Sequence, residues 1–154
     1  MLTEALSKKE EFMQQALALA EEAFEAGEVP VGCVITDASG QVIGRGRNRR
    51  EEMSCATRHA EIEAIEQACG ALHDWRLEGC SLYVTLEPCP MCAGAIINAR
   101  IPTVVFGAGD ESFGSCGSVI DLFYEKYGHR PACYSGICAS ESESLLKGFF
   151  ESKR

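Results

Sequence analysis

The chain has 154 residues, enough for one domain with a sizeable core and too few for two of typical size. Apolar residues make up 46% and charged residues 24%, with no repeats or low-complexity runs, which excludes collagen-like, solenoid and extensively disordered classes. The net charge of −9 argues against a broad non-specific polyanion-binding surface, and no segment approaches the roughly 20 apolar residues of a membrane span. The expectation is one soluble, cytoplasmic domain over residues 1–154. Its nine cysteines, an odd count, are expected as reduced thiols rather than disulfides.

In chain order, Ser7-Lys8-Lys9-Glu10 reads as a capping box before a helix with Phe12, Ala16, Leu19, Ala20 and Ala23 on one face, stopping at Gly27. Val31 to Thr36 and Gln41 to Gly46, around Asp37-Ala38-Ser39-Gly40, predict a β-hairpin. Thr57 is placed to cap a second helix that begins within a residue or two of His59 and carries Ile62, Ile65 and Cys69 on one face. Ser81 to Leu86 alternates as a strand, Pro88 suits a helix start, and Cys89 to Arg100 is small and apolar enough to pack closely as a helix. A strand at Val104 to Gly107, a glycine-rich loop from Gly109 to Gly117, a helix from Val119 to Tyr127 and a short strand near Cys133 come next. A closing helix starts at a second capping box, Ser140-Glu141-Ser142-Glu143. A hairpin followed by alternating helices and strands implies an α/β sandwich with helices on both sheet faces. The pattern leaves strand order open.

Two short motifs carry chemistry. Cys89 and Cys92 are three residues apart at a helix start, so both sulfurs share a side and the helix N-terminus favours thiolate. Alone, that pair also suits a redox couple, half of a structural zinc site, or two core thiols. His59 adds a third donor, and a Cys, Cys, His set leaves tetrahedral zinc one position open for water, the hallmark of a catalytic site. His73 and His129 have no spacing that recruits them. Glu61, two residues beyond His59, is placed to shuttle a proton without coordinating the metal; its bland reading is a solvated carboxylate in a first helical turn. His-x-Glu with Pro-Cys-x-x-Cys is already a known signature of nucleobase zinc deaminases.

Charge is unevenly placed. Arg45, Arg47, Arg49, Arg50 and Arg58 occupy one short stretch, and Arg45, Arg47, Arg49 and Arg58 are candidate phosphate contacts. A solvated strand end neutralised by Glu51 and Glu52 is the competing reading.

Beyond the metal motif, Gly27-Glu28-Val29-Pro30-Val31-Gly32, Gly46-Arg47-Asn48, His59-Ala60-Glu61 and Leu82 to Ala95 resemble the bacterial tRNA-specific adenosine deaminase family over nearly the whole chain. The resemblance implies a three-layer α/β/α sandwich of the cytidine deaminase type, with about five strands in a mixed sheet. It also implies conversion of the wobble adenosine of a tRNA anticodon to inosine, one zinc ion per subunit, and a homodimer. Asn48 would contact the flipped nucleotide, Val31 would line the base pocket, Glu61 would shuttle the proton, and the loop from Asp110 would meet neighbouring nucleotides. Asn48 is also compatible with a strand-end turn, and Asp110 with capping the next helix.

The segment from Asp110 to Ser118, with an acidic residue and an aromatic, departs from bacterial members and resembles the catalytic subunit of the eukaryotic heterodimeric enzyme, as does Ala56-Thr57-Arg58. Phe113 is expected to anchor this loop in the core, with stacking on a base as the alternative. Phe149 and Phe150 read as helix packing or dimer surface, and the seven cysteines outside the motif as small apolar residues. Two other functions compete: deamination of a free base or nucleoside such as guanine or cytosine, and a non-catalytic partner subunit of a tRNA deaminase.

Overall fold

The computed structural model describes residues 2–153, and side chains from residue 8 to residue 153. A helix, α1 (Leu2–Glu25), leads into the hairpin β1 (Gly32–Thr36) and β2 (Val42–Arg47), then α2 (Ala60–Leu72), β3 (Ser81–Leu86), α3 (Pro90–Asn98), β4 (Thr103–Ala108), β5 (Ala132–Tyr134) and α4 (Ala139–Ser152). The strands form one mixed sheet in the order β2-β1-β3-β4-β5. β1 is antiparallel to both β2 and β3, while β3, β4 and β5 run parallel.

Strand alternation divides the core between the two faces. Cys33, Ile35, Leu82, Val84, Val104 and Phe106 pack against α2 and α3 through Ala60, Ala64, Ala68, Ala93, Ile96 and Ile97. Val34, Tyr83 and Val105, one position out of step, pack against Met13, Ala16 and Leu17 of α1, with Leu145 of α4 alongside. The result is the expected three-layer sandwich. Its α2 contact is unusually close because Gly44 and Gly46 lack side chains: a Cβ on either would collide with the carbonyl of Ala64 or Ala60. The buried face of α2 is therefore its alanine row, and Ile65 and Cys69 pack only partly against that core.

Several local expectations change. α1 begins at Leu2, ahead of Ser7, whose side chain lies outside the described residues. His59, not Thr57, occupies the cap position of α2, and the Thr57 hydroxyl meets the Cys55 thiol instead at 3.3 Å. Pro90, not Pro88, opens α3, which stops at Asn98 because Arg100 adopts φ +61°. Cys138 caps α4, leaving Ser142 inside the helix to donate its hydroxyl to the Thr85 carbonyl at 2.6 Å.

The helix expected from Val119 to Tyr127 reduces to a single turn at Leu122–Tyr124. The backbone here pairs across a tight return of chain: Gly117 N–H donates to Ile120, Leu122 N–H to Ser115, and Cys116 bridges Asp121. Val119, Ile120, Tyr124 and Tyr127 are exposed, so a helix would bury no continuous apolar face. All nine cysteines are free thiols, and among the described residues no helix is long and apolar enough to cross a membrane.

Candidate active site

The sheet topology brings four chain segments to one edge. Because β1 runs antiparallel to both neighbours, its start lies beside the ends of β2 and β3, and β4 ends next to β3. Val31, Asn48, Glu87, Cys89 and Asp110 consequently meet, although they come from distant parts of the sequence. They line a cavity of about 550 Å³ with Val29, Leu86, His59, Glu61, Arg50 and Phe113.

Two helix starts point into this edge. His59 caps α2 and Cys89 caps α3, both with extended backbone, and Cys92 lies one turn further along α3. Cys89 Sγ is 3.6 Å and Cys92 Sγ is 3.5 Å from His59 Nδ1, and the three donor atoms all lie within 4.8 Å of one another. Hydrogen bonding by the Cys92 thiol, and then by His59, holds the Cys89 thiol down to about 4 despite its burial. The same sharing pushes Cys92 upward, since it supplies the proton, and contact with Cys89 raises His59. One nitrogen and two sulfurs in a half-buried cluster at two helix N-termini fit a divalent ion that prefers nitrogen and thiolate ligands.

Glu61 lies in the first turn of α2, 4% exposed, and lines the same cavity. Burial pushes its carboxyl up to about 7, and Cys89 adds to the rise while His59 opposes it. A buried carboxylic acid poised near neutrality beside a metal-binding cluster has the properties of a proton-transfer group.

Asn48 is 7% exposed and tied on both sides: its Nδ2 donates to the Val29 carbonyl at 3.3 Å and its Oδ1 accepts from Arg50 N–H at 3.1 Å. One Nδ2 proton and one acceptor site remain for a ligand. Val31 contributes apolar wall, and the Asp110 carboxylate accepts from the N–H groups of Ser112 and Phe113.

The arginine stretch divides. Arg47 and Arg49 both bind Glu52, Arg49 also binds Glu63, and Arg58 binds Glu66. Arg45 and Arg50 form no ion pair among the described residues, and Arg50 is the arginine that lines the cavity. Phe113, expected in the core, is 66% exposed at the cavity wall. The loop that carries it folds around the Glu87 carboxylate, so no core position is offered to the ring.

Two residues that shape the site lie in segments that carry the resemblance but drew no role of their own from the sequence. Glu28 and Glu87 are 1% and 3% exposed and accept backbone N–H groups from distant loops. The only cue was a carboxylate inside an otherwise apolar stretch. His73 is the left-handed cap of α2 and His129 Nε2 sits 2.7 Å from the Ile101 carbonyl, so neither joins the cluster.

Comparison with known proteins adds to this geometry. The MafB19-like deaminase family model matches residues 7–154. The tRNA-specific adenosine deaminase of Bacillus subtilis is 43% identical over 150 residues, covering 97% of this chain and 92% of that protein. A tRNA(Ile)-lysidine synthase of Deinococcus radiodurans is 46% identical over 138 residues, 90% of this chain but 24% of that longer protein. A chain solved in studies of A-to-I editing by tRNA:A34 deaminases superimposes with a TM-score of 0.84 at 46% identity, over 88% of this chain and 99% of that one.

Proposed function

The chain belongs to the tRNA-specific adenosine deaminases within the MafB19-like deaminase family, and from that premise we propose that it hydrolyses the wobble adenosine of a tRNA anticodon to inosine, releasing ammonia. The observation that carries the reading is the meeting, in one cavity, of a His-Cys-Cys donor cluster and a buried carboxyl group poised near neutrality.

His59, Cys89 and Cys92 would hold one zinc ion per chain. Bound there, zinc supplies Lewis acidity that brings the pKa of water to about 7. Glu61 takes a proton from the water that adds at C6 and passes it to N1, then carries the remaining hydroxyl proton to the departing amine as the C6–N bond breaks, so water and adenosine become inosine and ammonia. Its burial in the first turn of α2, at the wall of the same cavity, shields it from bulk solvent beside the cluster. Val29, Val31 and Leu86 enclose the base with apolar surface that excludes bulk water, and Asn48 orients the nucleotide through its two remaining hydrogen-bonding sites.

Around the mouth, Phe113 stacks on a base beside the target and Asp110 fixes the loop that presents it. Phosphate contact falls to Arg50 and Arg45, whose guanidinium groups are not engaged by carboxylates among the described residues; Arg47, Arg49 and Arg58 support the loop through their ion pairs. A homodimer would cover the exposed Val119, Ile120, Tyr124 and Tyr127, and acting on tRNA would make this a cytoplasmic enzyme.

The direct test is inosine formation in an adenosine-bearing anticodon stem-loop, with Glu61→Ala as control and guanine, cytosine and free adenosine assayed alongside. Inosine at the wobble position, lost in the control, is expected. Ammonia from a free base without RNA editing would transfer the same site to a small substrate, and no activity on any of them would leave a partner-subunit role.

A further inference from the structure

We propose that Glu28 and Glu87 are positioning residues that fix the two loop lips of the cavity and thereby set its affinity for a polynucleotide. The inference rests on the function proposed above for the same cavity. One lip is the segment from Arg49 to Arg58, which carries Arg50 and Ala56; the other runs from Asp110 to Ser118 and carries Asp110 and Phe113.

Each lip is held from inside the protein by one carboxylate. Glu28 accepts the N–H of Glu51 at 3.0 Å on one oxygen and that of Glu52 at 2.7 Å on the other. Glu87 Oε1 accepts Asp110 N–H at 3.0 Å and the Ser118 hydroxyl, while Oε2 accepts Cys116 N–H at 3.0 Å and Ser118 N–H at 3.1 Å. A carboxylate oxygen has two acceptor sites, so those on Glu87 are filled and it has none to offer a substrate. Although Glu87 borders the cavity, its role is therefore exerted through the loop.

Neither carboxylate forms an ion pair among the described residues. Burying a carboxylate without a cation is costly unless hydrogen bonds replace its hydration, and here backbone N–H groups from the lips do so. Gly114 belongs to the same arrangement: a Cβ there would collide with the Glu87 carboxylate and the Asp110 carbonyl. The donor cluster and Glu61 stand at the starts of α2 and α3, whose helical hydrogen bonds do not pass through either carboxylate. Releasing a lip is therefore expected to cost the contacts to nucleotides flanking the target more than the floor.

Glu28→Gln and Glu87→Gln each replace one acceptor oxygen with an N–H donor at constant size. In the metal-loaded chain acting on the stem-loop, KM is expected to rise about tenfold with a smaller change in kcat and unchanged metal content. Amide hydrogen exchange should accelerate at Glu51 and Glu52 in the first variant, and at Asp110, Cys116 and Ser118 in the second. If either glutamine variant fails to fold, Glu→Asp, which keeps the charge but shortens its reach, takes its place with the same expected readouts. Unchanged KM with a lower Tm, or faster exchange spread across the sheet, would show ordinary structural residues and overturn the inference alone. A wild-type chain that makes no inosine would overturn the functional reading, and this inference with it.

Discussion

The two halves of the cavity are built by different means. Its floor stands on regular structure: His59 and Cys89 are the cap residues of α2 and α3, and Glu61 and Cys92 lie within the first turns of those helices. Its lips are loops without regular structure, each folded around a buried carboxylate supplied from 23 to 31 residues away. Helix starts place side chains through local geometry, which suits chemistry that tolerates little displacement. Tethered loops can vary in the residues they present while their tether stays the same, which suits selection among RNA sequences.

The largest effect should come from breaking the floor itself. Cys92→Ala removes a fully buried donor from the cluster. Metal content measured by atomic emission should fall to background, and inosine formation by more than the roughly 10² to 10⁴-fold that losing one proton-transfer group costs. A variant that retains both metal and activity would show that the cluster is not the ligand set.

Glu61→Gln separates proton transfer from metal binding on the same floor. Metal should be retained while kcat drops about 10² to 10⁴-fold. In the metal-free chain the same substitution has a pH-dependent effect on stability. Burial raises the Glu61 carboxyl to about 7 in the folded state, above its ordinary range. The folded chain therefore holds this proton more tightly than the unfolded one, and stability falls as pH rises from about 4.5 through 7. By about pH 8.5 the glutamine variant should exceed wild type in stability by urea unfolding, and the difference should shrink as pH falls toward about 4. A difference independent of pH would mean that Glu61 is not held as a buried acid.

The contrast between floor and lips also explains what was legible in the sequence. Ser81–Leu86 is recovered to the residue, because its alternation is buried on both faces of a central strand, and the motif residues are legible because a helix start places ligands at fixed short spacing. Glu28 and Glu87 were not, since their partners are backbone amides, which any residue supplies and which leave no mark on side-chain pattern. The segment from Val119 to Tyr127 was expected as a helix, but its backbone partners lie across a chain reversal that the local sequence does not encode. Phe113 misled for a related reason: an aromatic in a glycine-rich loop is ordinarily buried, yet this loop is already filled by a carboxylate.

Phe113→Ala probes a lip without disturbing its tether. The ring is 66% exposed, so Tm should hardly move, while stem-loop affinity should weaken by about 1–3 kcal/mol if the ring stacks on a base. Binding measured by fluorescence anisotropy, with the base beside the target varied, would resolve which neighbour it meets. Loss of Tm without loss of affinity would return Phe113 to a packing role.

The smallest expected effect distinguishes the two kinds of arginine in one loop. Arg50 has no carboxylate partner among the described residues and borders the cavity, whereas Arg58 is paired with Glu66, which raises its already high pKa. A guanidinium that meets a phosphate displaces a condensed counterion, and each such contact on single-stranded nucleic acid contributes about 0.7 to the slope of log affinity against log salt. Arg50→Ala should lower that slope by about this amount, with little change in kcat. Arg58→Ala should leave the slope unchanged and act, if at all, through a surface ion pair worth about 0–1 kcal/mol of stability. Equal slopes for wild type and Arg50→Ala, with a reduced slope for Arg58→Ala, would mean that the loop rearranges on binding RNA and exchanges its carboxylate partners for phosphates. In that case the lip is ordered by its ligand, and the ion pairs of the free protein describe its resting state.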